Sequence, residues 1–174
     1  MLVVSDYAKG AVDAGLVGSL VDRPCTVVDP KHLDVERYAG ADVLSPNRAE
    51  AIAAASAAPA PGTLSLEASV LALHARLPGT ALVVTCGADG VVWSEQPGER
   101  ADGLHRVPSF ADHVDDVTGA GDSVVCGLAV ALATGADLAD AITVASLVAA
   151  VAVASPGTAT PSWDELDALA SSLG

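Results

Sequence analysis

The stretch that most constrains this chain is Asp116-Val117-Thr118-Gly119-Ala120-Gly121-Asp122, followed at once by the apolar run Val124 to Ala133. Two glycines around one alanine predict a tight turn with accessible backbone N–H groups, and Ser123–Ala133 after it reads as a helix. Bare N–H groups at a helix N-terminus attract anions, because unpaired donors and the macrodipole both favour negative charge there. Asp122 puts a carboxylate where an anion would otherwise settle. Two readings stand on local grounds: an acid that stabilises the helix N-terminus, or a general base facing a phosphoryl group held by the turn.

The remaining sequence reads as alternating strands and helices. Leu2–Val4, Cys25–Val28, Asp42–Ser45 and Thr80–Thr85 are short apolar runs of the kind buried in parallel sheets, and Val91–Trp93 follows a glycine-bearing hairpin turn. Helices are expected over Ala11–Val21, over Leu64–Leu77 with Leu66, Val70, Leu73 and Leu77 on one face, and over Leu138–Ala154 behind Asp137 and Asp140. Gly135 stops the signature helix, and Ser162-Trp163-Asp164-Glu165 is a capping box for a last helix. Ala51–Pro61 reads as a helix end and surface loop, Glu95–Gly103 as a polar loop, and His74 and His113 as solvated side chains.

The 174 residues suffice for one domain with a real core, and its 51% hydrophobic content is dominated by Ala and Val. A net charge of −14 with two lysines, Lys9 and Lys31, excludes the basic footprint that nucleic-acid binding needs. Phosphates of a small nucleotide can still be met by N–H groups and single cations. Cys25, Cys86 and Cys126 are odd in number, lack metal spacing and read as small core residues of a reducing compartment. Met1-Leu2-Val3-Val4 lacks a basic leader, and the apolar runs are too short to span a bilayer, so a cytoplasmic chain without a membrane partner is expected.

Other polar groups cluster after strands, where open parallel sheets bind ligands. Asp6 and Lys9, in Ser5-Asp6-Tyr7-Ala8-Lys9-Gly10, are substrate candidates or parts of a capping turn, and Lys31 closes Asp29-Pro30-Lys31. Asn47 and Glu50 have the spacing of a capping box, which is the stronger reading on local grounds. The glycines of Thr85-Cys86-Gly87-Ala88-Asp89-Gly90 are explained by a turn needing positive φ.

The full string D-x-T-G-A-G-D-S before an apolar helix resembles the signature of the ribokinase-like (PfkB) sugar kinases. The order strand, Asn-x-x-Glu, strand, Thr-x-Gly-x-x-Gly, signature is also kept. The resemblance implies a three-layer αβα fold and transfer of the ATP γ-phosphate to a sugar hydroxyl. It makes Asp122 the base, and the N–H groups of Gly119, Ala120 and Gly121 the anion hole. Asn47 and Glu50 would organise Mg²⁺ through water, and Thr85, Gly87 and Gly90 would lie near the ATP phosphates. Ser146 and the loop Ser155, Gly157, Thr158 would wall the nucleotide, and groups at Asp116 and Thr118 would serve a monovalent cation such as K⁺. Ser146 stands where the family pattern has Asn. Ser5–Gly10, Asp29-Pro30-Lys31 and Gly157-Thr158-Ala159-Thr160 resemble the branch acting on D-glycero-D-manno-heptose 7-phosphate, on the route to ADP-heptose. The resemblance covers the C-terminal part of such a domain, without its first strands, sugar-gripping residues and β-lid. A half-domain would leave an unpaired edge at Leu2–Val4 and call for a homodimer or a complementing N-terminal half. Three functional readings follow: a heptose 7-phosphate kinase, a split kinase that binds nucleotide but needs a partner chain, or a kinase for another sugar.

Overall fold

A computed structural model describes residues 1–13, 15, 18, 25–56, 64–95 and 104–174. The chain divides into two compact units, residues 1–86 with 92–106, and residues 87–91 with 107–174. The expected helix Ala11–Val21 and the segments Ala51–Pro61 and Glu95–Gly103 lie wholly or partly outside the described residues.

The sheet has six strands in sequence order: β1 (Leu2–Ser5), β2 (Thr26–Asp29), β3 (Val43–Leu44), β4 (Ala81–Thr85), β5 (Val91–Ser94) and β6 (His105–Val107). The first four are parallel, in a register that aligns Val4 with Val28, Val28 with Leu44, and Leu44 with Leu82. That row faces one side of the sheet. Right-handed crossovers between strands laid down in order bring the connecting helices to the same side. Helix α1 (Arg48–Ser56) and helix α2 (Leu66–Arg76) supply Ala51, Ala54, Ala55, Val70 and Leu73 to a core shared with Val28, Leu44 and Leu82. The other face, with Val27, Val43 and Val83, is buried as well, which is why β2, β3 and β4 read as continuous apolar runs rather than alternating ones.

Helix α2 begins at Ser65, whose hydroxyl accepts from Ala68 N–H. His74 corrects an expectation: it is 3% exposed, not solvated. It lies four residues from Val70 and beside Leu73, so helical spacing carries it inward with the apolar face.

The second unit is built on helix α3 (Ala120–Ala133), helix α4 (Leu138–Val153) and helix α5 (Trp163–Ser172). Helix α3 begins at Ala120, three residues before the expected start at Ser123. It ends in a Schellman motif: Gly135, at φ +92°, donates to Leu132 O (3.1 Å), and Ala136 donates to Ala131 O (3.2 Å). Asp137 caps α4 through Asp140 N–H at 2.9 Å, and the expected capping box of α5 is formed by Ser162 and Glu165. The cysteines depart from expectation, since Cys126 is exposed and Cys25 and Cys86 are half-buried. Cys126 falls on the outward stripe of α3 with Asp122 and Val130.

Gly127 sets the approach of α3 to α4. A Cβ there would lie 3.0 Å from Ala145 Cα and 3.1 Å from Val148 Cγ2. Gly127→Leu is therefore expected to force the helices apart and cost about 1–3 kcal/mol, read as a lower denaturation midpoint with an unchanged slope.

Candidate active site

Two groups of polar residues stand out, one in each unit. In the first unit, the parallel register brings the residues following β1, β2, β3 and β4 to one edge of the sheet, and an isolated bridge between Asn47 and Thr85 extends that alignment. Asn47 and Glu50 form the capping box of α1: Glu50 N–H donates to Asn47 Oδ1 (2.9 Å), and Asn47 N–H donates to Glu50 Oε2 (2.8 Å). The other Glu50 oxygen, Oε1, lies 3.0 Å from Lys31 Nζ, which also reaches Asp29 Oδ1 at 2.9 Å. Burial alone would depress the Lys31 pKa, but hydrogen bonds and charge from Asp29 and Glu50 outweigh it and raise the pKa.

Asp6 is 1% exposed, and its carboxylate accepts from Tyr38 Oη (2.6 Å) and from Ala8 N–H (2.8 Å). Burial raises its pKa, but the Tyr38 and Ala8 hydrogen bonds, aided by nearby His32 and Arg37, leave it below the ordinary carboxylate value. The same pairing, added to burial, pushes the Tyr38 hydroxyl upward. Asp6 thus braces its turn from inside, holding Ala8 at φ +55°, while Tyr7 and Lys9 remain exposed beside an open pocket. Asp29 and Tyr38 were not among the residues singled out from sequence. The i, i+2 spacing of Asp29 and Lys31 across Pro30 is a usable signal for the first pair; Tyr38 is 32 residues from Asp6 and leaves none.

In the second unit, Gly119 is the N-cap of α3 in a left-handed conformation (φ +81°, ψ 2°) and brings no side chain to cap the helix. Asp122 sits exposed in the first turn. Ala120 and Gly121 belong to the helix rather than to the turn before it. Ala120 N–H donates to Val117 O at 3.2 Å, whereas first-turn geometry leaves the Gly121 N–H without an intrahelical acceptor.

Asp116 ties this helix start to the loop after α4. Its Oδ1 accepts from Thr118 N–H (2.8 Å) and its Oδ2 from Gly157 N–H (3.1 Å). Asp115 and Asp116 N–H groups both donate to Val153 O. Thr158 Cγ2 closes over Gly119, 3.4 Å from where a Cβ would project. Hydrogen bonds from Thr118, then from Gly157, hold the Asp116 carboxyl below its ordinary pKa. A carboxylate lowered on folding stabilises above the unfolded value, and that contribution disappears as pH falls through the folded one. Acidification below the ordinary carboxylate range is expected to release Gly157, seen by NMR as a shift of its amide that Asp116→Ala abolishes.

Ser155 is half-buried at the start of that loop, and Gly157 adopts φ +76°. Ser146 is buried, its hydroxyl donating to Ile142 O within α4 at 2.8 Å. Thr85 N–H donates to Pro46 O, Gly87 opens a short 3-10 turn at φ +59°, and Gly90 is buried at φ +81°.

Among the described residues no three His, Cys, Asp or Glu side chains are grouped to hold a metal ion by themselves. With both Glu50 oxygens engaged, this donor set fits a hydrated cation held in part by substrate phosphates better than one bound directly by protein. Among the described residues no helix is long and apolar enough to cross a membrane.

Residues 22–165 match the family described as pfkB family carbohydrate kinase. The bifunctional protein HldE of Halorhodospira halophila is 42% identical over 97% of this chain, which spans 35% of that relative. The ribokinase of Thermotoga maritima superposes over 98% of this chain and 56% of its own with a TM-score of 0.81 at 21% identity. The Escherichia coli phosphofructokinase-2, solved in complex with potassium, covers 99% of this chain and 57% of its own with a TM-score of 0.77 at 18% identity. These neighbours identify the α/β architecture as ribokinase-like, and with the family match over most of its length, the chain belongs to the PfkB family of carbohydrate kinases.

Proposed function

We propose that this chain carries the nucleotide-binding and catalytic part of an ATP-dependent sugar kinase, with D-glycero-D-manno-heptose 7-phosphate as the acceptor. The observation that carries the reading is the α3 N-terminus. A left-handed glycine supplies no cap, leaving first-turn N–H groups for an anion, and Asp122 projects from that same turn. Phosphoryl transfer asks for this chemistry: a base for the attacking hydroxyl and positive partial charge on the transferred oxygens. Asp122 takes the proton of the acceptor hydroxyl as the hydroxyl oxygen attacks the γ-phosphorus, and the bond from that phosphorus to the β,γ-bridging oxygen breaks to release ADP. The N–H groups of Gly119 and Gly121 face the developing charge, and the Ala120 N–H, which donates to Val117 O in this structure, would join them on leaving that acceptor. Ser155, Gly157 and Thr158 border the nucleotide, with Ser146 acting beneath them through its helix. Thr85, Gly87 and Gly90 would approach the ATP phosphates, and Asn47 and Glu50 would hold a hydrated Mg²⁺ ion. Bound Mg²⁺ would neutralise phosphate charge, and a K⁺ ion near Asp116 and Thr118 would reinforce the helix start. Lys9, exposed in the turn after β1, is the cation this proposal offers to a sugar phosphate. The likeness to HldE favours the heptose acceptor over other sugars.

The test is ³¹P NMR of the full chain with MgATP and heptose 7-phosphate, with ribose and fructose 6-phosphate as alternative acceptors. Appearance of an anomeric phosphate with the heptose alone supports the reading; transfer only to another acceptor overturns the substrate.

A second reading is that the chain works only with a further polypeptide segment. It is favoured by β1, which ends the sheet order with Val3 40% exposed, and by coverage of about a third of the length of relatives such as HldE. Nucleotide binding without transfer, together with self-association in sedimentation, would support it.

A further inference from the structure

Resting on the kinase reading, we infer that Lys31 is a positioning residue that holds Glu50, and through it the Asn47 turn, at the edge of the sheet where β2 and β3 end. Lys31 follows β2 and Glu50 lies in the first turn of α1. The ammonium group reaches Asp29 Oδ1 at 2.9 Å and Glu50 Oε1 at 3.0 Å, so two of its three donors are committed to carboxylates. Its stem borders a narrow cavity walled by Val35, Leu44, Ala51 and Leu73, and its side chain is 31% exposed. Lys31 is therefore seated between the sheet and α1 rather than extended toward solvent.

The geometry gives this seat a consequence for Glu50. Each Glu50 oxygen has one anchor, Asn47 N–H on Oε2 and Lys31 Nζ on Oε1. With both anchors the carboxylate plane is fixed; with one it swings about the other. Lys31 also places a positive charge between two carboxylates, Asp29 being 8% exposed in its side chain. Without it, that buried acid and Glu50 would face each other uncompensated, and the capping box would open. The role differs from gripping a substrate phosphate, since two of the three ammonium donors already hold carboxylates of this chain.

The roles separate in Lys31→Met, which keeps the stem and removes the charge, compared with Lys31→Arg, which can still bridge two acids. Positioning predicts that Lys31→Met lowers kcat and raises the half-activating Mg²⁺ concentration, by about 10–100-fold in total as for other partners of metal-site residues, with the sugar-phosphate KM within about twofold. Lys31→Arg should recover most of both. A raised sugar-phosphate KM with unchanged kcat and Mg²⁺ dependence overturns the inference. Urea unfolding of the full chain gives a readout independent of turnover. Lys31→Met and Glu50→Gln should be non-additive, because each removes the same contact; additive losses overturn the link. Should the wild-type chain neither transfer phosphate nor bind MgADP, the kinase reading fails, and the unfolding cycle alone decides whether Lys31 holds Glu50.

Discussion

Asp122→Asn is expected to reduce phosphate transfer by about 10³-fold, the middle of the range for loss of a positioned general base, while MgATP affinity changes little. The amide has nearly the shape of the carboxylate and accepts hydrogen bonds, but it cannot take up a proton at neutral pH. An acceptor hydroxyl would then have to lose its proton to water during attack, which corresponds to about 4 kcal/mol of added barrier. Asp122 is exposed in the first turn of α3, so the substitution leaves the core untouched. On folding, the substitution weakens the interaction with the helix dipole, which salt screens. Kinetics and melting therefore separate the two readings of this residue. A large fall in kcat with a near-native melting curve assigns it to chemistry. A lower melting temperature with an undiminished rate makes it a helix-stabilising acid.

Gly90→Val should produce a larger loss of stability than a substitution at Gly127, because its Cβ has the tighter contacts. Gly90 has φ +81°, and a Cβ on it would fall 2.1 Å from Val107 O and 2.6 Å from Pro108 C and Ser109 N. All three obstacles are backbone atoms, so no side-chain rotation relieves the contact. The left-handed conformation costs a non-glycine residue about 1–2 kcal/mol, and overpacking adds about 1–3 kcal/mol. The sum approaches the lower end of the total stability of a folded domain, about 5 kcal/mol. The expected result is an insoluble variant or one melting about 10 °C lower, given about 2–4 °C per kcal/mol at this size. Gly87→Ala provides the contrast: it has a positive φ of +59° but nothing within 4 Å of its Cβ position, so it should lose only the conformational part. Equal melting temperatures for the two variants would refute the steric argument.

The elements readable in advance were those with a local cause. The runs at β2, β3 and β4 declare strands buried on both faces, and Asp137 and Ser162 mark helix starts with caps that the structure contains. The Asn47–Glu50 capping box is formed, and the hydrogen bonds that start α1 fix the two side chains at the sheet edge. The misread positions have physical reasons. His74 was judged by residue type, although its spacing from Val70 places it on the buried face. Cys126 was judged the same way, while its spacing from Asp122 and Val130 places it outward. Helix α3 opens three residues before the expected start at Ser123, because a left-handed glycine starts it at Ala120. Contacts such as Tyr38 with Asp6, or Lys31 with Glu50, depend on which strands become neighbours, and no local pattern encodes that.

Asp116 carries a final consequence. One carboxylate receives the amides of both Thr118 and Gly157, so one side chain joins the segment before α3 to the loop after α4. The conformational entropy of both is lost during folding, leaving little to lose when a ligand arrives. Whatever binds at this helix start meets two segments already fixed to each other, and an agent that loosens one must loosen the other.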